Sequence, residues 1–194
     1  MSILLDAGPA LNFLAVGQEN VLIQTAASHR LQLATAARVD NEVTGMAKDA
    51  RFYRTAVKRT WQTLKSTGRL EVLVDDTTDR AFGEAIERLS GVPAEVRVRT
   101  RKSLGEIMVL AHASVLAQAG ADAFVLIDDG DARKRARTEA DWLVADGTTG
   151  VLRVWSTRQV LSQADPAWIT DKQTWQRVYT AMRAFDDGLA ALPA

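Results

Sequence analysis

Short apolar runs alternate with longer segments of helical periodicity along most of this 194-residue chain. Runs of four or five mostly apolar residues, bounded by turn residues, predict strands at 2–6, 70–74, 123–127 and 151–155. The Ala-rich stretch 26–37 is ambiguous, and it favours a second helix, a turn near Ser28-His29 and one further short strand. Strands that alternate with helices form parallel sheets, so the sequence predicts an α/β fold.

The segments between these strands carry the spacing of amphipathic or buried helices. We predict helices at 9–16, after Asp40, at 49–66, at 79–90, from Ser103 to about Ala119, and at 132–145. Two more helices around Pro166 would bring the aromatic side chains of the C-terminal part against the rest of the chain, because exposing them would cost burial energy. We therefore expect one domain over 1–155 and a C-terminal helical extension, 156–194, packed on it.

Composition removes several classes of protein. The absence of cysteine excludes disulfides, thiolate zinc sites and cysteine nucleophiles, and a formal net charge of zero argues against bulk electrostatic attraction to nucleic acid. No apolar run is long enough to span a membrane, and the short N-terminal run indicates a strand and not a signal peptide. We expect a cytoplasmic protein without membrane contact. Neither a Gly-rich phosphate loop nor a Ser-His-Asp arrangement is evident, which disfavours nucleotide-driven enzymes and serine hydrolases.

Acidic residues follow or open several of the predicted apolar elements. Asp6 ends the first strand, Glu106 opens an apolar helix, and Asp128, Asp129 and Asp131 follow a later strand. The carboxyl ends of parallel strands meet at one sheet edge, where several carboxylates would repel one another unless they shared a cation. Hard oxygen ligands suit Mg²⁺ or Mn²⁺, ions that activate water and neutralise charge during phosphodiester hydrolysis. The pattern therefore indicates a metal site for phosphodiester chemistry.

Four stretches, in the same order and with similar spacing, resemble the acidic motifs of PIN-domain nucleases, which include the VapC-type toxins. They are 4–12, 39–43, 105–111 and 126–133. The resemblance covers residue 3 to about 137. It implies a PIN-like three-layer α/β/α fold with a small central parallel sheet of about four strands. It also implies a metal-dependent endoribonuclease that hydrolyses RNA, often the toxin of a toxin–antitoxin pair. The expected partners are RNA and a protein antitoxin, and a homodimer is compatible with this reading.

Carried over motif by motif, the resemblance assigns catalytic roles to Asp6, Glu42, Glu106 and Asp129. It assigns Mg²⁺ or Mn²⁺ ligation to Asp6, Glu106, Asp128, Asp129 and Asp131. The fourth motif has Ile127 where the family frequently has a hydroxyl residue. Which of the three neighbouring aspartates binds the metal is therefore left open.

Each acid also has a role that needs no chemistry. Asp6 and the Asp128–Asp131 turn could cap the helices that follow them, and Glu42 could be a favourable charge near a helix start. Glu106 stands three residues after Ser103, which is the spacing of a capping box. At the level of the whole protein, one alternative is a non-catalytic PIN-like domain that binds RNA or protein. Another is a phospho-acceptor receiver-like domain, which would want a Lys at a late strand end, where 151–155 offers only Arg153.

Basic residues flank two of the acidic motifs. The candidate phosphate contacts are Arg97, Arg99, Arg101, Arg133 and Arg135. Arginine side chains beside a metal site could hold the RNA backbone on either side of the scissile phosphate, which a metal alone does not position. The alternative is that they are solvated helix faces paired with nearby acids.

Overall fold

The structure is a computed structural model that describes residues 1–52 and 55–192. Five strands form one parallel sheet in the order β3-β2-β1-β4-β5. They are β1 (Ser2–Leu5), β2 (Gln32–Ala36), β3 (Leu70–Leu73), β4 (Ala123–Leu126) and β5 (Leu152–Trp155). The sheet has one strand more than the number of about four that the resemblance implies, and β2 is the further short strand predicted in the Ala-rich stretch. Alanine is a weak strand former, but β2 pairs with β1 on one side and β3 on the other, and this packing overrides propensity.

Helices cover both faces of the sheet and confirm the predicted α/β/α class. In the described ranges they are α1 (Ala7–Ala15), α2 (Glu19–Ser28), α3 (Ala37–Met46), α4 (Val57–Ser66), α5 (Arg80–Ser90), α6 (Ala94–Arg97), α7 (Leu104–Gln118), α8 (Gly130–Ala145), α9 (Thr157–Gln163) and α10 (Trp175–Met182). One layer contains α1, α2, α9 and α10, which contact one another, and the other contains α5, α7 and α8. The hydrophobic core lies between these layers and the sheet.

Several helix boundaries differ from the prediction. The helix expected at 49–66 begins at Val57 in the described residues, after a short 3₁₀ turn at Ala50–Phe52, while residues 53–54 lie outside the description. The first helix begins at Ala7, two residues early, with Pro9 in its first turn. Proline is tolerated there because the first N–H groups of a helix have no intrahelical acceptor.

Helix α7 is the central element of its layer. It is buried on nearly every side, and it contacts α3, α5, α8 and the four strands β1, β2, β4 and β5. A helix that is apolar all round must be enclosed by its neighbours. Its first turn reaches the edge of the sheet, and it carries Glu106 there.

The C-terminal segment packs against the first helices of the chain. Val178, Tyr179 and Met182 of α10 belong to the buried core, and Phe185 stacks on Phe52 with ring centroids 5.7 Å apart. Helix α10 contacts α1, and α9 contacts α2. None of the described helices has both the length and the apolar character needed to cross a membrane.

Candidate functional site

The cavity that concerns function lies at the edge of the sheet where the strand order reverses. The chain leaves β1 toward β2 and leaves β4 toward β5, so a crevice opens between the carboxyl ends of β1 and β4. Leu5 pairs with Leu126, and the Asp6 N–H donates to the Leu126 carbonyl at 3.2 Å. A cavity of about 430 Å³ occupies this crevice. Its acidic lining residues are Asp6, Glu42, Glu106, Asp128, Asp129 and Asp186.

Asp6 is the most deeply placed of these acids, with 8% of its surface exposed. It stands at the N-cap position of α1, yet its side chain makes no capping hydrogen bond within the described residues. Burial raises the pKa of Asp6 to about 7; the N–H groups of Ala7 and Gly8 oppose this shift, and the charges of Glu106 and Glu42 add to it. Helix capping therefore does not account for this carboxylate.

Glu42 lies in the second turn of α3, because that helix begins at Ala37 and not after Asp40 as expected. The first-turn charge is Asp40, which pairs with Lys65 at 2.7 Å, so the helix-start role proposed for Glu42 is wrong. Its Oε1 accepts a hydrogen bond from Arg38 Nε at 3.0 Å. A Cβ atom on Gly105 would stand 2.6 Å from Glu42 Oε2, so the glycine is what allows this carboxylate to lie against α7.

Glu106 does not form the capping box that its spacing suggested. Ser103 has a left-handed backbone (φ 53°), and its side chain makes no capping hydrogen bond in the described part of the chain. Glu106 Oε2 is buried without a hydrogen-bond partner among residues 1–52 and 55–192, and the nearest cation, Arg135 Nη1, is 3.8 Å away. Burial raises the pKa of Glu106, the charges of Asp129 and Glu42 add to this, and Ser103 and Arg135 partly offset it.

The three aspartates of the fourth motif have three different environments. Asp128 accepts the Thr157 N–H at 2.9 Å and the Thr157 hydroxyl at 2.5 Å, and burial raises its pKa. Asp129 caps α8 through one oxygen, Oδ1, which accepts two backbone N–H groups. Asp131 is exposed, and it pairs with Lys134 at 3.2 Å, outside the cavity lining. The structure thus brings Asp128 and Asp129 to the site and places Asp131 away from it.

Asp186 lines the same cavity and was missed by sequence reasoning. It comes from the C-terminal segment, and its Oδ2 accepts a hydrogen bond from Asn12 Nδ2 at 2.8 Å. One signal was present: the apolar-Asp-Asp-Gly order of 127–130 recurs at 185–188. Aromatic residues around this second copy favoured an assignment to packing alone.

Arg97 has a structural task that the charge pattern did not reveal. It is buried, and its two terminal nitrogens donate to the backbone carbonyls of Thr100 and Lys102 at 2.7 and 2.6 Å. Burial lowers the pKa of Arg97, and the nearby charge of Arg135 lowers it further. Its guanidinium therefore holds the loop before α7 and does not face a ligand.

The other predicted phosphate contacts are distributed around the cavity. Arg101 is exposed and lines it, and Arg135 reaches the edge of the Glu106 carboxylate. Arg133 lies close enough to Asp128 to lower the pKa of that group in part. Arg99 is exposed without lining the cavity. Three of the five predicted arginines, at positions 101, 133 and 135, are therefore near the acids.

The donor set suits a hard divalent cation, although the carboxylates stand apart. Among the described residues no three acidic or histidine side chains are close enough together to hold a metal ion as they are placed. Like charges repel, which favours such spreading. Glu106 and the buried Asp6 both line the cavity, however, and carboxylate oxygens are the ligands that Mg²⁺ and Mn²⁺ prefer. The described side chains are therefore of the type that such an ion prefers, although in this structure they are too far apart to hold one.

Comparisons of the chain with protein-family models, curated proteins and solved structures found no match. A functional assignment therefore depends on these residues and their geometry.

Proposed function

We propose that this protein is a divalent-cation-dependent endoribonuclease that hydrolyses RNA phosphodiester bonds. The observation that carries the proposal is the Asp6 carboxylate, which is buried at a sheet edge, has no cationic partner among the described residues and is surrounded by further acids. Burying a carboxylate in this way costs free energy and serves no packing purpose, which favours a functional role. The resemblance of the four acidic motifs to PIN-domain nucleases supports the same assignment.

The residues that line the cavity have different proposed roles. Asp6 and Glu106 would hold Mg²⁺ or Mn²⁺ from opposite elements, with Asp128 and Asp129 at the end of β4. Glu42 is fixed by Arg38, so its carboxylate needs little further ordering. The bound ion would neutralise charge on the phosphodiester and lower the pKa of an attacking water.

Arg101 and Arg135 are placed to hold the RNA backbone at the rim of this cavity. A protein that contacts phosphates loses affinity as salt rises, with a log–log slope of about −0.7 per contact for a single strand. In an Asp6→Asn background, which prevents cleavage, Arg101→Ala should make the slope shallower by roughly 0.7. Arg59→Ala, which changes an exposed arginine on α4, is the control and should leave the slope unchanged.

The proposal is tested by cleavage of single-stranded RNA with Mn²⁺, with Mg²⁺ and with EDTA. We expect cation-dependent cleavage by the parent, and at least a 100-fold loss in Asp6→Asn and in Glu106→Gln. Asp146→Asn is a matched control, because this exposed residue follows the far end of α8, roughly 25 Å from Asp129 at a rise of 1.5 Å per residue. Unchanged cleavage by an Asp6→Asn, Glu106→Gln double variant would contradict the proposal. RNA binding without cleavage by the parent would favour the non-catalytic alternative.

We also infer, from the resemblance alone, that the protein acts as the toxin of a toxin–antitoxin pair. Its expression should then arrest cell growth, Asp6→Asn should not, and co-expression of a protein encoded directly upstream should relieve the arrest. Growth that continues although the purified parent cleaves RNA would remove the toxin role and retain the ribonuclease.

A further inference from the structure

The C-terminal segment closes one side of the candidate site. Asp186 and Gly188 both line the cavity, and the segment is held there by several contacts. Arg183 Nε donates to the Leu189 carbonyl at 3.1 Å, and the Tyr179 hydroxyl donates to the Ala190 carbonyl at 3.1 Å. Leu189 itself is buried in the core. These contacts fix the position of Asp186 relative to the sheet edge.

The Asp186 carboxylate is aimed by two hydrogen bonds. Its Oδ2 accepts from Asn12 Nδ2 at 2.8 Å, and its Oδ1 accepts from the Gly188 N–H at 2.9 Å. Asn12 is itself almost fully buried on α1, so it is a rigid donor. Each carboxylate oxygen has two lone pairs, so each keeps one for a ligand after these hydrogen bonds.

Asp186 forms a second acidic pair with Asp128. Both residues line the same cavity, so their negative charges repel. Asp128 is held in place by Thr157, and Asp186 by Asn12, so neither can simply turn away. Two fixed like charges in one cavity are costly unless something positive lies between them.

We propose that Asp186 is a further ligand of the divalent cation site, contributed by the C-terminal segment. This inference rests on the proposed cation-dependent function. Its independent support is the buried, unpartnered Asp6 carboxylate facing the same cavity, since acids that merely cluster on a surface need no ligand. The cation site then contains ligands from the N-terminal and the C-terminal parts of the chain, and residues 183–192 supply one of them.

The test measures Mn²⁺ binding by titration calorimetry on the full chain, with thermal unfolding as a check of folding. The parent should bind Mn²⁺, Asp6→Asn should not, and Asp186→Asn should bind at least tenfold more weakly, as expected when a group that supports a metal site is lost. Asp187→Asn is the matched control. It removes the same charge from the neighbouring residue, which is exposed and does not line the cavity. It should bind as the parent does.

A second variant keeps the inference testable if Asp186→Asn is unstable. Asn12→Ser removes the donor that aims the carboxylate and should weaken Mn²⁺ binding by a smaller factor than Asp186→Asn. Parent-like affinity in Asp186→Asn, or in Asn12→Ser where Asp186→Asn does not fold, overturns the role of Asp186 while the proposed function stands. Equal weakening in Asp186→Asn and Asp187→Asn also overturns it, since a general charge effect would then suffice. A parent that does not bind Mn²⁺ at all overturns both.

Discussion

Two buried carboxylates in this protein have opposite surroundings. Glu139 on α8 is 3% exposed, and it is paired with Arg88 at 2.8 Å and with the Ser114 hydroxyl at 2.6 Å. Gln118 completes this network, and the Arg88 guanidinium lies 3.6 Å from the ring centre of Trp142. Asp6 is nearly as buried, at 8%, but the described residues give it no cationic partner.

We infer that this difference separates a structural carboxylate, Glu139, from one that binds a ligand, Asp6. The Glu139 network joins α5, α7 and α8, and every member has a partner, which is what a buried charge requires. In this fold a buried acid with a structural role, Glu139, is therefore fully paired. At the sheet edge it gathers six acids whose ion pairs, among the described residues, are Arg38–Glu42 and Arg135–Glu106, so we infer that further positive charge comes from outside the chain.

The largest expected effect comes from breaking the structural pair. Arg88→Met keeps much of the side-chain volume but leaves Glu139 charged and buried, which should lower the free energy of unfolding by about 3 kcal/mol. Chemical denaturation measures this change. Arg80→Met, which removes an exposed pair on the same helix, is the control and should change stability by less than about 1 kcal/mol. Equal effects of the two substitutions would show that the Glu139 network is not a structural support.

Neutralising Asp6 should have the opposite sign. In protein kept free of divalent cations at pH 8, Asp6→Asn should raise the free energy of unfolding by about 2 kcal/mol. A pKa shift from 3.8 to about 7 corresponds to about 4 kcal/mol at 1.36 kcal/mol per unit, and the buried amide retains part of that cost. A destabilised Asp6→Asn variant would mean that the carboxylate has a structural partner after all.

The pH dependence of stability gives a smaller but independent signal. Between pH 3.8 and about 7 folded Asp6 keeps a proton that the unfolded chain has lost, so stability falls as pH rises through this window and is level above it. The advantage of Asp6→Asn over the parent should therefore shrink to less than half between pH 8 and pH 5. Urea unfolding of both proteins in EDTA at the two pH values measures this. A constant advantage would contradict the raised pKa.

The smallest expected change in stability is at Gly105. Gly105→Ala would push the Glu42 carboxylate aside, because the new Cβ would lie 2.6 Å from Glu42 Oε2. The gain in helix stability and this displacement should cancel to within about 1 kcal/mol, while Mn²⁺ affinity should fall several-fold. A Cβ atom on Gly45 of α3 would have no neighbour within 4 Å outside its own helix in the described structure. Gly45→Ala should therefore raise the free energy of unfolding by about 0.5–1 kcal/mol and leave Mn²⁺ affinity unchanged. Identical behaviour of the two variants would exclude Glu42 from the site.

Much of the fold could be predicted from local sequence patterns, because β1 and β4 are apolar runs whose burial follows from their composition. The convergence of Asp6, Glu106 and Asp128 could be expected for a related reason. Asp6 and Asp128 follow strands that end at one edge of the parallel sheet, and Glu106 opens a helix that begins there.

What could not be predicted depends on contacts between distant parts of the chain. Asp186 reaches the cavity through a hydrogen bond to Asn12, 174 residues earlier, and local spacing carries no information about such a contact. Arg97 sits in a basic cluster that indicated exposure, but the following loop wraps around it and supplies two carbonyl acceptors. Backbone acceptors of this kind are not visible in side-chain patterns.

The most direct test of the contrast between the two regions is the effect of Mn²⁺ on stability in the parent, Arg88→Met and Asp6→Asn. A ligand that binds only the folded state stabilises it by about 2.7 kcal/mol at 100 times its dissociation constant. We predict that Mn²⁺ raises the free energy of unfolding equally in the parent and in Arg88→Met, although the second protein starts less stable, and leaves Asp6→Asn unchanged. An equal increase in all three proteins, or no increase in the parent, would contradict the assignment of the acidic cavity as a cation site.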